Sequence, residues 1–200
     1  MRGLRGQVLT YVDVLLHRKA VGQRVAVVGA GGIGFDVAEY LVHEGHSPTL
    51  DLDEWMREWG VGDPAATRGG VLPPQVTPPA REVFLLQRKA TGVGKGLGKT
   101  TGWIHRAALR KKRVEMIPGV NYERIDEHGL HITFGEKRED PRRLDVDTIV
   151  LCAGQEPQRE LAASLRAAGI RAHVIGGADV AVELDAKRAI DQGSRLAAAL

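Results

Sequence analysis

The sequence predicts a doubly wound α/β fold, in which helices flank a mostly parallel sheet. Short, β-branched apolar runs recur along the chain, and such runs are typical of parallel strands buried on both faces. Stretches with apolar residues at helical spacing alternate with these runs, as crossover connections require. The 200 residues are 43% apolar and 26% charged, which suits one large domain or two small ones and excludes a disordered chain.

These patterns divide most of the chain into elements. Apolar residues at helical spacing predict a lead-in helix within 8–16. Strands are predicted at 23–28, 82–87, 114–117, 147–154 and 172–175, and a small β-meander at 120–125 and 130–134. Further helices are predicted at 35–42, 52–59, 103–112, 158–168 and 182–200. We expect a loop at 140–143, which contains a proline.

Residues 45–80 interrupt the alternation with six Pro and five Gly. So long a segment is unusual for a crossover connection, and we predict that it is an insertion on the surface. The expected organisation is a lead-in helix or linker at 1–20, a domain at 21–154 that contains the insertion, and a C-terminal part at 155–200.

Composition excludes several classes of protein. The single cysteine, Cys152, can build neither an intrachain disulfide nor a cysteine-held metal cluster. Apolar runs fall short of the roughly 18 to 20 residues of a membrane helix, and a signal-peptide pattern is missing, so we expect a cytoplasmic protein with no membrane partner. The basic stretch 105–113 has few aromatic neighbours, which favours a solvated helix over a nucleic-acid interface. The seven scattered His indicate no metal or catalytic site.

A glycine motif carries the first functional signal. Gly29, Gly31 and Gly34 follow a predicted strand and open a predicted helix, with Ala30, Gly32 and Ile33 between them. In Rossmann-like domains this pattern makes a tight turn, lets a pyrophosphate approach the backbone, and packs the helix on the strand. The free N–H groups and positive dipole of the helix N-terminus favour the anion. A net charge of +3 suits such a ligand, although a glycine turn without a ligand is the alternative.

The end of the following strand indicates which dinucleotide is bound. An NAD site has an acid there for the ribose 2′-hydroxyl, whereas this chain has Gln87, Arg88 and Lys89. An amide and two cations suit a 2′-phosphate, so NADPH is favoured, and a solvated strand end is the alternative. Lys95 and Lys99 lie in a glycine-rich loop that we expect to be flexible; this loop either reaches the cofactor phosphates or is simply solvated.

Several longer stretches resemble the bacterial NADPH-dependent 2,4-dienoyl-CoA reductases. The most specific is 96–106, Gly-Leu-Gly-Lys-Thr-Thr-Gly-Trp-Ile-His-Arg. The similarity also covers 27–36, 87–90, 116–120, 152–157 and 175–181, and so extends over nearly the whole chain. Members of that family carry FMN, a [4Fe–4S] cluster and the dienoyl-CoA site in an N-terminal barrel. Their C-terminal part is similar to pyridine-nucleotide disulfide oxidoreductases and passes electrons from NADPH to FAD.

This chain departs from the family because it has no barrel, no cluster cysteines and no second glycine motif. The resemblance therefore implies an NADPH-binding Rossmann-like domain joined to the last strand and helix of an incomplete FAD domain. FMN and the cluster would belong to an absent N-terminal barrel, which would be a partner within the same parent protein.

The resemblance also implies site residues. Gly29, Gly31, Gly32 and Gly34 would contact the pyrophosphate, and Asp36 would face the nicotinamide. Arg88 and Lys89 would hold the 2′-phosphate, and Ala153 and Gly154 would close over the nucleotide. At the flavin, Asp179 would bond the ribityl chain, with Gly177 and Val180 on either side. In disulfide oxidoreductases the corresponding Gly and Asp are adjacent, whereas here one inserted residue, Ala178, separates Gly177 from Asp179.

Two functions remain open at this level. The first is the electron-input module of a dienoyl-CoA reductase in the β-oxidation of unsaturated fatty acids, and Asp179 with the helix after it favours this one. Hydride would pass directly between two cofactors, so no general acid or base is expected. The second is a stand-alone NADP(H)-binding or regulatory protein that has no redox turnover.

Overall fold

The computed structural model describes residues 7–182 and 186–200. The chain forms two compact units, one ending at Ala153 and the other running from Gly154 to Leu200. From residue 7 onward, the first unit contains a five-stranded parallel sheet, a three-stranded antiparallel sheet and four helices. The predicted α/β fold with a parallel sheet and a small β-meander is confirmed.

The parallel strands are β1 (Gln7–Thr10), β2 (Arg24–Val28), β3 (Glu82–Leu86), β4 (Glu115–Ile117) and β8 (Thr148–Leu151). Their order across the sheet is β1-β8-β2-β3-β4. The antiparallel sheet contains β5 (Val120–Asp126), β6 (Gly129–Phe134) and β7 (Glu139–Leu144), in that order. The first unit's helices are α1 (Tyr11–Leu15), α2 (Gly32–Val42), α3 (Leu52–Trp59) and α4 (Gly102–Lys111), and the second unit has α5 (Glu160–Ala167) and α6 (Ala186–Ala199).

Strand β2 is buried on both faces, which explains its unbroken apolar sequence. Val25 and Val27 join a core that also contains residues of α2, whereas Ala26 and Val28 join a core that contains residues of the antiparallel sheet. Successive side chains of a strand point to opposite faces, so two cores result from one short run. The side chains of β3 alternate between the same two cores. Because β2 and β3 pair in parallel with Val28 opposite Leu86, the two strands end side by side at one edge of the sheet.

The predicted lead-in helix at 8–16 is wrong in its first part, since Gln7–Thr10 is strand β1 and pairs in parallel with β8. The helix α1 starts only after Thr10, whose hydroxyl accepts a hydrogen bond from the Asp13 N–H at 3.1 Å while the Asp13 carboxylate accepts one from the Thr10 N–H at 2.9 Å. This capping box marks the start of the helix. Before it, residues 7–10 pair with β8 as a strand despite the helical spacing of their apolar residues.

Two further predictions are corrected. The expected loop at 140–143 lies within strand β7, where Pro141 is tolerated because β7 is the edge strand of its sheet. Residues 172–175, all within the described part of the chain, form no strand. The predicted helix at 182–200 is observed as α6 from Ala186, and 183–185 lie outside the described residues.

The inserted segment contains α3, and it covers the end of the basic helix α4. The Lys112 side chain is only 2% exposed, and its Nζ lies 3.4 Å from Glu58 Oε1 and donates to Thr77 Oγ1 at 2.6 Å. The Nζ of Lys111 lies 3.7 Å from the ring centroid of Trp59. The expectation of a fully solvated basic helix is therefore wrong at these two lysines, because the insertion supplies their partners.

Candidate functional site

The glycine turn lies where β2 ends and α2 begins, at the carboxyl edge of the parallel sheet. Gly29 has φ +107°, and a Cβ there would lie 2.7 Å from the carbonyl oxygen of Cys152. A Cβ at Gly34 would lie 1.8 Å from the carbonyl oxygen of Gly29. Both positions therefore require glycine, the first for the turn and the second for the close packing of α2.

Gly31 and Gly32 differ from these two glycines. Apart from adjoining residues and the backbone of α2 itself, no atom of the described residues lies within 4 Å of a Cβ built on either of them. Gly31 is the N-cap of α2 with φ −80°, which any residue can adopt. A side chain would thus fit within the protein itself, and its absence leaves open space beside the first N–H groups of a helix. This geometry fits a dinucleotide pyrophosphate, with Ala30 and Ile33 half-buried on either side.

Cys152 and Ala153 lie opposite this turn. The N–H of Cys152 donates to the carbonyl of Val28 at 2.8 Å, which joins β8 to the end of β2. Burial raises the pKa of the Cys152 thiol to about 12. Ala153 is exposed. Gly154 has φ +80° and belongs to the second unit.

Asp36 is exposed on the first turns of α2. Gln87, Arg88 and Lys89 follow β3, the neighbour of β2. The Gln87 amide donates to the carbonyl oxygens of Lys89 at 2.9 Å and Thr91 at 2.8 Å. Both amide hydrogens are therefore used in shaping the turn, and sequence reasoning missed this role.

Arg88 and Lys89 are exposed after the turn. Burial raises the pKa of Tyr122 to about 12, and the positive charge of Arg88 opposes that rise. The Lys89 carbonyl accepts a hydrogen bond from the Gly119 N–H at 3.1 Å. The turn that carries both cations is anchored to the start of β5.

The loop that follows is anchored to the rest of the first unit at Gly94. Gly94 is buried with φ +75°, and a Cβ there would lie 2.5 Å from Cζ of Phe35. The Arg106 Nη1 of α4 donates to the Gly94 carbonyl at 2.8 Å. Val93 is buried in the core beside α2, whereas Lys99 is exposed. Helix α4 therefore holds this loop at Gly94, and the predicted flexibility of the rest of the loop stays a prediction.

In the second unit, α6 organises the predicted flavin residues. Gly177 lies in a short 3-10 turn, Gly176–Ala178, and Gln192 accepts a hydrogen bond from the Gly176 N–H at 2.7 Å. The Gln192 amide also donates to Asp179 Oδ2 at 3.0 Å. Val180 is 44% exposed. Sequence reasoning missed Gln192, which orients the carboxylate of Asp179.

The second unit has little core of its own. Within the described residues, α5 and α6 bury none of their side chains, and Leu161 and Ile190 are 72% and 67% exposed. The described His, Cys, Asp and Glu side chains form no group of three that could hold a metal ion. Each helix in the described ranges is too short or too polar to cross a membrane.

The model of the pyridine nucleotide-disulphide oxidoreductase family matches residues 7–184. The chain belongs to this family. The family match supports a redox module of the FAD/NAD(P)-binding kind. A metal reductase from Desulforamulus reducens is 26% identical over 166 residues, which are 83% of this chain and 23% of that protein.

Solved structures of other oxidoreductases have a similar fold. A 2-naphthoyl-CoA reductase in complex with 2-naphthoyl-CoA has a TM-score of 0.60 at 17% identity, over 86% of this chain and 21% of that one. Histamine dehydrogenase from Rhizobium sp. 4-9 has a TM-score of 0.56 at 13% identity, over 87% of this chain and 23% of that one. The chain thus spans about a quarter of the length of the relatives that it matches.

Proposed function

We propose that this family member is the electron-input module of an NADPH-dependent flavin oxidoreductase. The observation that carries the proposal is the open space at Gly31 and Gly32, between a buried strand and the N-terminus of α2. When bound, NADPH supplies a hydride and FAD accepts it. The chain's own residues bind and orient the cofactors, and the transfer requires no acid or base from them.

Selection of NADPH over NADH is assigned to Arg88 and Lys89. Both side chains are exposed at the end of β3, where NAD-specific sites have a carboxylate. Two cations favour a 2′-phosphate through charge-assisted hydrogen bonds. Gln87 contributes indirectly, because its amide holds the turn that presents the two cations. Lys99 remains a further candidate for a phosphate contact.

Contact with FAD is assigned to Gly177, Asp179 and Val180. The amide of Gln192 orients the Asp179 carboxylate, and a fixed carboxylate suits a sugar-like hydroxyl chain. The exposed apolar residues of α5 and α6 would be covered by the remainder of an FAD domain. Ala153, Gly154 and Asp36 are assigned to the nucleotide, as the sequence resemblance implies.

The parent enzyme that we propose is a 2,4-dienoyl-CoA reductase, which acts in the cytoplasm on intermediates of unsaturated fatty acid β-oxidation. The sequence resemblance at 96–106 supports this assignment. FMN, a [4Fe–4S] cluster and the acyl-CoA site would then belong to an N-terminal barrel of the parent protein. The chain's coverage of only 23% of the metal reductase leaves room for such a barrel.

Nucleotide binding is tested with Gly31→Val, because this change adds a side chain only to open space. We expect isothermal titration calorimetry to give loss of NADPH binding at an unchanged melting temperature. Gly193→Val in α6, where a Cβ would make only an ordinary contact with Ile175 at 3.7 Å, serves as the control. Unchanged NADPH binding by Gly31→Val would contradict the proposal.

The electron-input role is tested with the complete parent protein. We expect it to contain flavin that NADPH bleaches, and we expect the 200-residue chain alone to reduce no dienoyl-CoA. A parent protein without a flavin spectrum would contradict the role and leave a stand-alone NADP(H)-binding or regulatory function.

A further inference from the structure

A pocket of about 960 Å³ opens between helix α2, helix α4 and the inserted segment. The residues of α2 that line it lie on one face of the helix, because they follow three- and four-residue spacing: Asp36, Glu39, Tyr40 and His43. Residues 18–21 before β2 and Arg81 before β3 also line it. The pocket therefore reaches the amino ends of these strands, whereas the glycine turn lies at the carboxyl edge of the sheet.

Aromatic side chains from two elements form part of the pocket wall. Tyr40 of α2 is exposed, and Trp55 of α3 is 37% exposed. Trp59 also lines the pocket, with 6.2 Å between its ring centroid and that of Trp55. Exposed rings in a concave site suit a ligand with an apolar or aromatic body.

One of the two tryptophans already binds a positive charge of the chain itself. The Nζ of Lys111 lies 3.7 Å from the ring centroid of Trp59, which is a cation–π contact. Among the described side chains, none places a cation over the ring of Trp55. The Trp55 ring is therefore free to make the same kind of contact with a ligand.

Two of the charged residues that line the pocket are paired within the chain. The Glu58 Oε1 lies 3.4 Å from the Lys112 Nζ, and the Lys19 Nζ lies 2.8 Å from the Asp13 Oδ1. The remaining charged residues of the wall are three carboxylates and two guanidiniums: Asp36, Glu39, Glu44, Arg18 and Arg81. With its histidines neutral, the wall therefore has an excess of negative charge.

Glu44 is the carboxylate most open to a ligand. It is exposed just after the end of α2, and among the described residues it has no hydrogen-bond or ion-pair partner. Glu39, by contrast, has its Oε2 atom 3.4 Å from the Nδ1 of His105. Arg81 is also engaged, because its Nη1 donates to the Leu41 carbonyl at 3.2 Å.

We propose that this pocket binds an organic ammonium ion. Glu44 is its counter-ion, and the rings of Tyr40 and Trp55 contact its apolar body and its charge. A carboxylate together with an aromatic face attracts a cation more strongly than a neutral molecule of the same shape. The proposal does not rest on NADPH binding. Asp36 is assigned to both sites, so the test leaves it unchanged.

The test uses the 200-residue chain labelled with nitrogen-15, in which three tryptophans give three indole signals. The probe is benzylammonium, compared with benzyl alcohol and benzoate at about pH 8, where histidine is neutral. We expect benzylammonium to shift the Trp55 signal and to bind at least about twofold more tightly than benzyl alcohol. Trp103 is 57% exposed and does not line the pocket, so its signal is the internal control.

Two single variants, Trp55→Leu and Glu44→Gln, should each weaken benzylammonium binding by about two- to fivefold. Trp103→Leu and Glu136→Gln are the matched controls, because both residues are exposed and lie outside the pocket wall. Trp55 lies beside Trp59, so Glu44→Gln decides the result if Trp55→Leu lowers the melting temperature.

Benzyl alcohol or benzoate binding as tightly as benzylammonium would overturn the proposal. Equal dissociation constants for benzylammonium in Glu44→Gln and Glu136→Gln would also overturn it. Glu44→Gln should leave NADPH binding unchanged, since Glu44 is remote from the glycine turn. Failure of the wild-type chain to bind NADPH would overturn the proposed function and leave this site standing.

Discussion

Gly34 meets the carbonyl oxygen of Gly29 at a distance that only a glycine permits. A Cβ at Gly34 would lie 1.8 Å from that oxygen, which belongs to rigid backbone rather than to a flexible side chain. Because Gly34 lacks a side chain, α2 packs directly against the turn that follows β2. This packing fixes the direction in which the N-terminus of α2 points.

We predict that Gly34→Ala destabilises the chain. Overpacking of this kind costs about 1 to 3 kcal/mol, because backbone must shift to relieve it. Urea denaturation followed by circular dichroism measures the change. Gly32→Ala is the matched control in the same helix, since open space surrounds that position, and its stability should stay within about 1 kcal/mol of the original. Equal stabilities for the two variants would contradict the packing argument.

Removal of the Lys112 ammonium should deprive the Glu58 carboxylate of the cation that lies 3.4 Å from it. Lys112 is 2% exposed and Glu58 is 14% exposed, so Lys112→Met is expected to cost about 3 kcal/mol in the free energy of unfolding. Adding Glu58→Gln should recover part of that loss, because the uncompensated charge is removed. Denaturant titration of the single and double variants tests this. A double variant less stable than Lys112→Met would contradict it.

Asp13 should make the chain sensitive to acid. The ammonium of Lys19, followed by the N–H and hydroxyl of Thr10, holds the pKa of the Asp13 carboxyl well below its usual value of 3.8. A lowered folded-state pKa contributes stability that is present above 3.8 and is lost as the pH falls further. Asp13→Asn should therefore be less stable than wild type at pH 6, and the difference should shrink below pH 3.8. A constant difference across that range would contradict the assignment.

The Cys152 thiol should react slowly in the folded chain. Burial raises its pKa to about 12, so at pH 8 its thiolate fraction is about a thousandfold below that of an ordinary thiol. Reaction with a disulfide reagent should accelerate by a comparable factor in urea. Cys152→Ser should keep NADPH binding, and loss of binding would show that the thiol has a larger role than packing.

Charge reversal after β3 should change cofactor preference. Arg88→Glu places a carboxylate where we propose that the 2′-phosphate binds, so NADPH should bind about tenfold or more weaker while NADH changes little. Calorimetric titration with both cofactors measures the ratio. Lys137→Glu, at an exposed residue in the β6–β7 turn, controls for the same change in net charge. An unchanged NADPH to NADH ratio would contradict the assignment.

The sequence predicted the turn at Gly29 to Gly34 because its requirements are local. Glycine spacing, a preceding apolar run and a following helical stripe all lie within about twenty residues. It could not predict that the Gln87 amide donates to the backbone of the next turn, since a glutamine that binds a cofactor and a glutamine that bonds the backbone look the same in a sequence. For the same reason, the sequence did not predict the hydrogen bond from Gln192 to Asp179 or the one from Arg106 to the Gly94 carbonyl.

Strand β1 illustrates the other kind of error. The apolar residues at 8, 11, 12, 15 and 16 have helical spacing, but Val8 pairs with Ile149, more than a hundred residues away in sequence. Pairing between distant strands leaves little trace in the local pattern of either one. Residues 140–143 were misjudged for a different reason: Pro141 indicated a loop, whereas this segment pairs with the neighbouring strand β6 as the edge strand of its sheet.

By itself, then, the sequence determined the α/β class, the buried strands and the glycine turn, since each depends on neighbouring residues and on short-range periodicity. Only the tertiary structure decided where the cations of α4 lie. The inserted segment takes Lys111 and Lys112, whereas Arg106 and Arg110 are left beside strand β4. That division depends on contacts between elements far apart in the chain, and no local pattern of charge encodes it.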